Sequence, residues 1–116
     1  DLPLSQMVGA RERDNAELSR MALQYIEQQE SAGRRFPAEL FLSVGAFPPP
    51  GSVPKLLGYL THAVPELRLG AAQGLEQVRQ ERTASFLLER LPLEADPAVR
   101  ATLERTLAAL SAPARG

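Results

Sequence analysis

Two stretches of the sequence, Pro65-Glu-Leu-Arg-Leu-Gly-Ala-Ala-Gln-Gly-Leu-Glu-Gln-Val78 and Pro97-Ala-Val-Arg-Ala-Thr-Leu-Glu-Arg-Thr-Leu-Ala-Ala-Leu110, lie 32 residues apart and match each other. Pro, an aliphatic residue, Arg and later aliphatic residues recur at equivalent positions. A fainter third copy covers residues 16–29. A period in the low thirties with helical spacing inside each copy is typical of stacked helix pairs. The sequence therefore predicts an all-α solenoid in which each pair buries its apolar face against the next.

Helix start and stop signals predict about seven helices. Asp96 followed by Pro97 is a strong start signal, because the Asp side chain can accept the first free amides and Pro fits the first helical position. Asp14, with Glu17 three residues later, indicates another start, and Gly33 indicates a stop. The three prolines at 48–50 predict a rigid corner that interrupts the repeat. The expected helices cover residues 2–11, 15–30, 37–47, 53–60, 65–79, 83–91 and 97–110.

These helices predict one domain over residues 1–110, with an irregular first half (1–51), regular repeats (52–110) and a disordered tail at 111–116. Leu75, Val78, Leu103 and Leu107 are expected to be buried between the units. Because no markedly polar face covers the last pair after Leu110, the chain also fits a fragment of a longer repeat array.

The composition disfavours several classes of function. The 13 basic and 14 acidic residues are interspersed, so no strong positive field would attract a nucleic acid. No apolar run is long enough to predict a membrane span. The absence of Cys removes disulfides and thiolate metal sites and leaves the compartment open, with the cytoplasm preferred.

A motif of Leu-Leu-x-x-Leu, a turn and Asp-Pro-x-Val-Arg occurs in Leu87-Leu-Glu-Arg-Leu91 with Asp96-Pro-Ala-Val-Arg100. It recurs in Leu56-Leu-Gly-Tyr-Leu60 with Val64-Pro-Glu-Leu-Arg68. In these residues the chain resembles HEAT-repeat proteins, of the short bacterial subtype also found in phycobilisome-lyase-like proteins. The resemblance covers residues 52–110 well and residues 4–47 loosely.

The resemblance implies a right-handed superhelix whose second helices, the B helices, line the inner surface. It also implies a ladder of contacts between units, in which a turn acid pairs with a B-helix Arg. The chain departs from the family pattern at Val64, which stands where the family has Asp.

No constellation of residues predicts an enzyme. His62 is the only histidine, and no second ligand stands at metal-binding spacing. Nucleophile motifs and phosphate-binding glycine loops are lacking in the sequence. We therefore expect no catalytic, metal or cofactor site, and an exposed or turn-bonding role for His62.

Gly70 and Gly74 lie four residues apart on one expected helix. Each costs about 1 kcal/mol relative to Ala in a helix interior. A close approach of a neighbouring helix would explain both, and a groove that accepts a ligand is the alternative.

The outward face of the B helices is the predicted functional site. On residues 97–110 the core stripe leaves Glu104 and Arg105 facing away. The repeat offsets place an equivalent face on residues 65–79 and on residues 16–29, which are aligned as the first B helix. This outward strip contains Arg20, Leu23, Gln24, Glu27, Leu69, Ala72, Gln73, Glu76, Glu104 and Arg105.

Leucines surrounded by Gln, Glu and Arg are typical of an interface centre with a polar rim. The sequence therefore predicts a non-catalytic scaffold that binds a protein partner through its B-helix surface. An ordinary solvated surface is an open alternative. The other is an accessory or lyase-like factor handling a small cofactor such as a tetrapyrrole, which the resemblance alone suggests.

Overall fold

A computed structural model describes the backbone of residues 4–111 and the side chains of residues 13–111. Within residues 4–111 all regular structure is helical, and no strand is present. Single 3₁₀ turns at Glu81–Thr83 and Leu91–Leu93 flank the fifth α-helix. The α-helices are α1 (Leu4–Ala32), α2 (Leu40–Ala46), α3 (Ser52–Tyr59), α4 (Pro65–Val78), α5 (Ala84–Arg90) and α6 (Pro97–Ser111).

The six helices form three stacked pairs, α1–α2, α3–α4 and α5–α6. The second helices of the pairs stack in a row, because α2 packs against α4 and α4 packs against α6. We call α2, α4 and α6 the B helices and their partners α1, α3 and α5 the A helices. This arrangement confirms the predicted all-α solenoid.

Helix α1 joins the two helices that the sequence predicts over residues 2–11 and 15–30, so that six helices are present in place of seven. Asp14 lies inside α1 and does not begin a helix. Residues 10–31 contain no Gly or Pro, so nothing interrupts the helix before Gly33, which has a φ of 66°. Ser111, expected to begin the tail, is instead the last residue of α6. The expected start at residue 2 and the remainder of the tail, residues 112–116, lie outside the described residues.

Helices α4 and α6 begin where the sequence predicts, whereas α2 begins at Leu40 and not at residue 37. Oδ1 of Asp96 accepts hydrogen bonds from the amides of Ala98 (3.0 Å) and Val99 (3.2 Å) at the start of α6. Pro65 is the first residue of α4. The prolines at 48–50 separate α2 from α3 as expected, and the Ser52 hydroxyl donates back to the Pro49 carbonyl (2.7 Å).

The core runs along the junction between the A and B helices. Leu75 and Leu103 are buried as predicted, whereas Val78 and Leu107, also predicted to be buried, are only partly buried against the core. Further buried side chains come from every pair: Ile26, Phe41, Val44, Leu56, Leu60, Leu87 and Val99.

The contact between α2 and α4 is a direct approach of two backbones. A Cβ atom on Gly45 would lie 2.0 Å from the carbonyl oxygen of Gly74, and one on Gly74 would lie 2.6 Å from the carbonyl oxygen of Phe41. A Cβ on Gly70 would lie 2.7 Å from the Ala38 carbonyl oxygen. Close helix approach therefore explains Gly70 and Gly74.

Candidate protein-binding surface

The predicted strip divides into two parts, because α1 is an A helix and not the first B helix. Arg20, Gln24 and Glu27 are exposed on α1, and Arg20 forms an ion pair with Glu17 of the same helix. Leu23, predicted to face outward, is instead part of the core with 9% exposure. The α1 residues therefore do not continue the surface of α4 and α6.

The helical spacing of Leu18, Met21, Ala22, Tyr25, Ile26 and Gln29 predicts that they form one stripe along residues 15–30. The face of α1 that contacts α2 is rotated from this predicted stripe. The Ser19 hydroxyl is buried and donates to the Phe47 carbonyl at 2.7 Å. Leu18, Met21 and Tyr25, which the periodicity assigns to the core, are exposed. Two overlapping stripes fit the same sequence, and the contact at Ser19 determines which of them is buried.

The structure brings the α4 and α6 residues of the strip together. Leu69, Gln73 and Glu76 lie on one face of α4 at helical spacing, and all three are half-buried. Arg105 of α6 donates to both carboxylate oxygens of Glu76, at 2.9 and 3.2 Å, and this pairing raises the pKa of Arg105. Glu104 is exposed beside it.

Ala72 does not face outward as predicted, because it is fully buried. Helix α4 is packed between α2 and α6 and also contacts α3. The middle B helix therefore has a narrower exposed face than α6, the last one described.

Leu69 and Gln73 line a cleft of about 570 Å³ between α4 and the segment that leads into α2. We call this the inner cleft. The opposite wall is formed by residues 36–39, and Gly70 of α4 lies at the contact between the walls. The full lining is Phe36, Pro37, Ala38, Glu39, Glu66, Leu67, Leu69, Gly70 and Gln73.

A buried ion pair connects the second and third helix pairs. Nε and Nη2 of Arg68 donate to the two carboxylate oxygens of Glu94, at 2.9 and 3.1 Å. Arg90 and the amide of Asp96 are further donors to this carboxylate. Burial alone would raise the pKa of Glu94, but these hydrogen bonds outweigh it and hold the pKa below its usual value.

This contact is a single Arg–acid pair between units, of the kind that the family resemblance implies, but with a different acid. The sequence motif assigns the ladder to Asp96, whereas Asp96 caps α6 and Glu94 accepts the arginine. Sequence reasoning missed Glu94, although its place in the turn, 32 residues after His62, was a usable signal.

His62 forms a turn hydrogen bond, as expected. Its Nδ1 accepts from the amide of Val64 at 3.0 Å, and its ring stacks on Tyr59 at a centroid distance of 5.5 Å. The Tyr59 hydroxyl donates to Glu30, which also accepts from Lys55 at 2.8 Å. Burial and the Glu30 contact raise the pKa of Tyr59.

Across residues 13–111, no three His, Asp or Glu side chains are grouped as they would be around a metal ion. Among the described helices, none combines the length and apolar character that a membrane span requires.

Comparison with known protein families agrees with the stacked helix pairs. A family model described as HEAT repeats matches residues 9–108. The chain belongs to the HEAT-repeat family. HEAT repeats commonly mediate protein–protein contacts, and the family is generally a non-enzymatic scaffold fold. Searches among curated proteins and among solved structures each found no match.

Proposed function

We propose that this HEAT-repeat chain is a non-catalytic scaffold that binds a segment of a partner protein in the inner cleft. The observation that carries the proposal is Leu69, a half-buried leucine at a cleft between two helix pairs. Polar side chains surround it on both walls, with Gln73 on α4 and Glu39 opposite. An apolar centre with a polar rim is the arrangement of a protein-binding site.

The floor of the inner cleft is closely packed, which favours binding. A Cβ atom added to Gly70 would overlap Ala38 and Phe41, so no room for a side chain is left between the two walls at this point. A segment that binds there meets a surface that is already ordered, and this lowers the entropic cost of association.

The surface continues from the inner cleft onto α6. Glu76 follows Gln73 on the same face of α4 and is held by Arg105. With Glu104 beside them, these residues would form the polar rim at the far end of the site. Arg20, Gln24 and Glu27 on α1 remain a separate proposed contact, away from this rim.

The alternative function, handling of a tetrapyrrole as in phycobilisome-lyase-like proteins, is a proposal from the motif alone, as is a bacterial source. It would be favoured by an apolar cavity beside Gly70 and Gly74. The positions that a side chain on either glycine would take are instead filled by Ala38, Phe41 and Leu56. The cleft that Gly70 does line is bordered by the polar side chains of Glu39, Glu66 and Gln73. The scaffold function is therefore the one that we favour.

The test is quantitative partner capture from the source cells with wild-type and variant baits. Leu69→Glu and, separately, Gln73→Lys should reduce recovery of the specific partners by about tenfold or more. Leu93→Glu is the matched control, because Leu93 is 71% exposed in the turn after α5, and it should leave capture unchanged.

Leu69 packs partly against the core, so the melting temperature of each bait must be measured beside capture. The more peripheral Gln73→Lys then separates a loss of binding from a loss of folding. Recovery of the same partners at the same level with Gln73→Lys, Leu93→Glu and wild type would contradict the proposal.

A further inference from the structure

The turns that precede α4 and α6 are built in the same way. The amide of Val64 donates to Nδ1 of His62 (3.0 Å), and the amide of Asp96 donates to Oε2 of Glu94 (2.9 Å). In each turn a side chain accepts the amide two residues further on. His62 therefore occupies, in the second helix pair, the place that Glu94 occupies in the third.

An arginine of the following B helix contacts each turn at the equivalent carbonyl. Nη1 of Arg68 donates to the carbonyl of His62 at 2.8 Å, and Nη1 of Arg100 donates to the carbonyl of Glu94 at 3.1 Å. The two turns can therefore be compared position by position.

The two positions differ in the hydrogen-bonding group that they offer to a neighbour. Glu94 accepts from Arg68 of the preceding pair. The residue 32 positions before Arg68 is the uncharged Phe36, which lines, together with His62, a cleft of about 560 Å³. Since Nδ1 of His62 accepts a hydrogen bond, the proton of the neutral ring is on Nε2. His62 thus offers a donor where Glu94 offers an acceptor.

The charges around this second cleft, which we call the turn cleft, favour an anionic ligand. Arg34 and Arg35 are exposed, line the cleft and form no ion pair with a carboxylate among residues 13–111. Glu30 is already engaged by Lys55 and Tyr59. Glu66 alone then balances the two guanidinium groups, and guanidinium groups bind carboxylates in two-pronged fashion.

The rest of the turn cleft is mainly apolar, and its aromatic rings pack against one another. The Tyr59 ring stacks on His62 and meets the Phe36 ring edge-on at a centroid distance of 6.0 Å. Val64 is 40% exposed beside them. A ligand that fits must therefore combine a carboxylate with an apolar group.

We propose that the turn cleft binds an acidic segment of a partner protein. One carboxylate of the segment accepts hydrogen bonds from Nε2 of His62 and from Arg34 or Arg35, and an adjacent apolar side chain packs against Phe36 and Tyr59. The turn cleft shares Phe36, Glu66 and Leu67 with the inner cleft, so one extended segment can cover both. This inference rests on the proposed function in that it takes the ligand to be a protein.

The test uses a ten-residue peptide that alternates Glu with Leu and Phe, the same peptide with Lys in place of Glu, and succinate as a free dicarboxylate. Binding is measured by fluorescence anisotropy and by amide chemical shifts of the labelled protein. The Glu peptide should bind and shift the resonances of His62, Phe36 and Arg35, and the other two should bind at least tenfold more weakly.

Variants locate the binding. His62→Glu keeps an acceptor for the Val64 amide, as Glu94 does for the Asp96 amide, but replaces the donor that faces the ligand with a negatively charged acceptor. It should therefore weaken binding of the Glu peptide about tenfold or more. The double variant Arg34→Glu with Arg35→Glu should do the same. Arg79→Glu with Arg82→Glu, an exposed pair of equal charge change, should not.

Equal binding of the Glu and Lys peptides, or unchanged affinity in both cleft variants, would overturn the inference. Equal binding of succinate would overturn the choice of a protein ligand. Failure of the Glu peptide while partner capture still depends on Gln73 would refute the turn cleft alone. Peptide binding with capture insensitive to Leu69 and Gln73 would refute the inner cleft alone.

Discussion

At the scale of single residues, Glu94 is the one charged side chain that is buried among residues 13–111. Its side chain is inaccessible to water, and Arg68 is only 12% exposed. Removing a charge from water is costly, so such a pair contributes little net stability compared with an apolar contact. Breaking the pair by removing one partner is expensive, because the other charge stays buried.

Arg68→Ala should therefore lower the free energy of unfolding by about 3 kcal/mol. This value is near the low end of the cost of breaking a buried ion pair, because Arg90 and the Asp96 amide still contact Glu94. Arg105→Ala is the matched control. It also removes an arginine that pairs with a glutamate across two helix pairs, but its side chain is 58% exposed, so stability should hardly change. Denaturant titration measures both, and equal losses would contradict the assignment.

The lowered pKa of Glu94 predicts how stability depends on pH. A carboxyl whose pKa in the folded state lies below its usual 4.5 stabilises the fold fully above that value. The contribution is lost as the pH falls through the folded-state pKa, because the unfolded chain binds the proton first. Wild type should therefore lose stability below about pH 4.5, and Glu94→Gln should show a flatter acid limb in titrations at successive pH values. Parallel acid limbs would contradict this prediction.

At the scale of helices, the contact between α2 and α4 depends on glycine. Gly45 and Gly74 let the two backbones meet without side chains between them. The sequence predicted close approach for Gly70 and Gly74, because two glycines in one helix need a compensating contact. It gave no corresponding signal for Gly45, since α2 is short and the identity of its neighbour depends on how the pairs stack.

Gly45→Ala should destabilise the protein by about 2 kcal/mol or more, because the added methyl group would overlap the Gly74 carbonyl. Gly58→Ala in α3 is the control, since a methyl group added there would have no neighbouring atom within 4 Å. There the higher helix propensity of Ala should stabilise the protein by about 0.5 to 1 kcal/mol. Thermal unfolding of both variants checks the sign of each change, and a stabilising Gly45→Ala would show that the helices are not in backbone contact.

Helix α1 shows where local sequence signals are insufficient. Asp14 and Glu17 match the pattern of an N-terminal cap. Such a cap forms only where a helix begins, and no Gly or Pro near Asp14 ends the preceding helical turns so that a new helix could begin. The stripe on α1 was also ambiguous, because shifting it by one residue keeps Ala22 and Ile26 buried and exchanges Leu18 for Ser19. Only the position of α2 decides between the two faces.

At the scale of the whole molecule, three stacked pairs share one core. The 32-residue offset predicted α4 and α6 closely. It also predicted that Leu69, Gln73 and Glu76 of α4 lie on the same surface as Arg105 of α6. It could not show that α1 is an A helix, because pairing is a property of the stack and not of one helix. The inner and turn clefts could not be predicted from the sequence either, since their walls include residues 33–39, which have no regular periodicity.

Leu103→Ala tests whether the pairs form one cooperative unit. Leu103 is fully buried in α6, and its truncation should cost about 2 to 5 kcal/mol through lost contacts and a residual cavity. Circular dichroism and a probe on α1 should report the same unfolding midpoint, because the core is continuous. A loss below about 1 kcal/mol, or two separate midpoints, would contradict the shared core.

The most direct test of the central claim is site-specific photo-crosslinking in the source cells. A benzophenone amino acid replaces Gln73 in the inner cleft, Glu104 at the rim or, as a control, the exposed Leu93. If the chain is a scaffold that binds its partner in the inner cleft, position 73 should give a discrete protein adduct, position 104 the same adduct in lower yield, and position 93 none. The same adduct from position 93 alone, with none from 73 or 104, would contradict the claim.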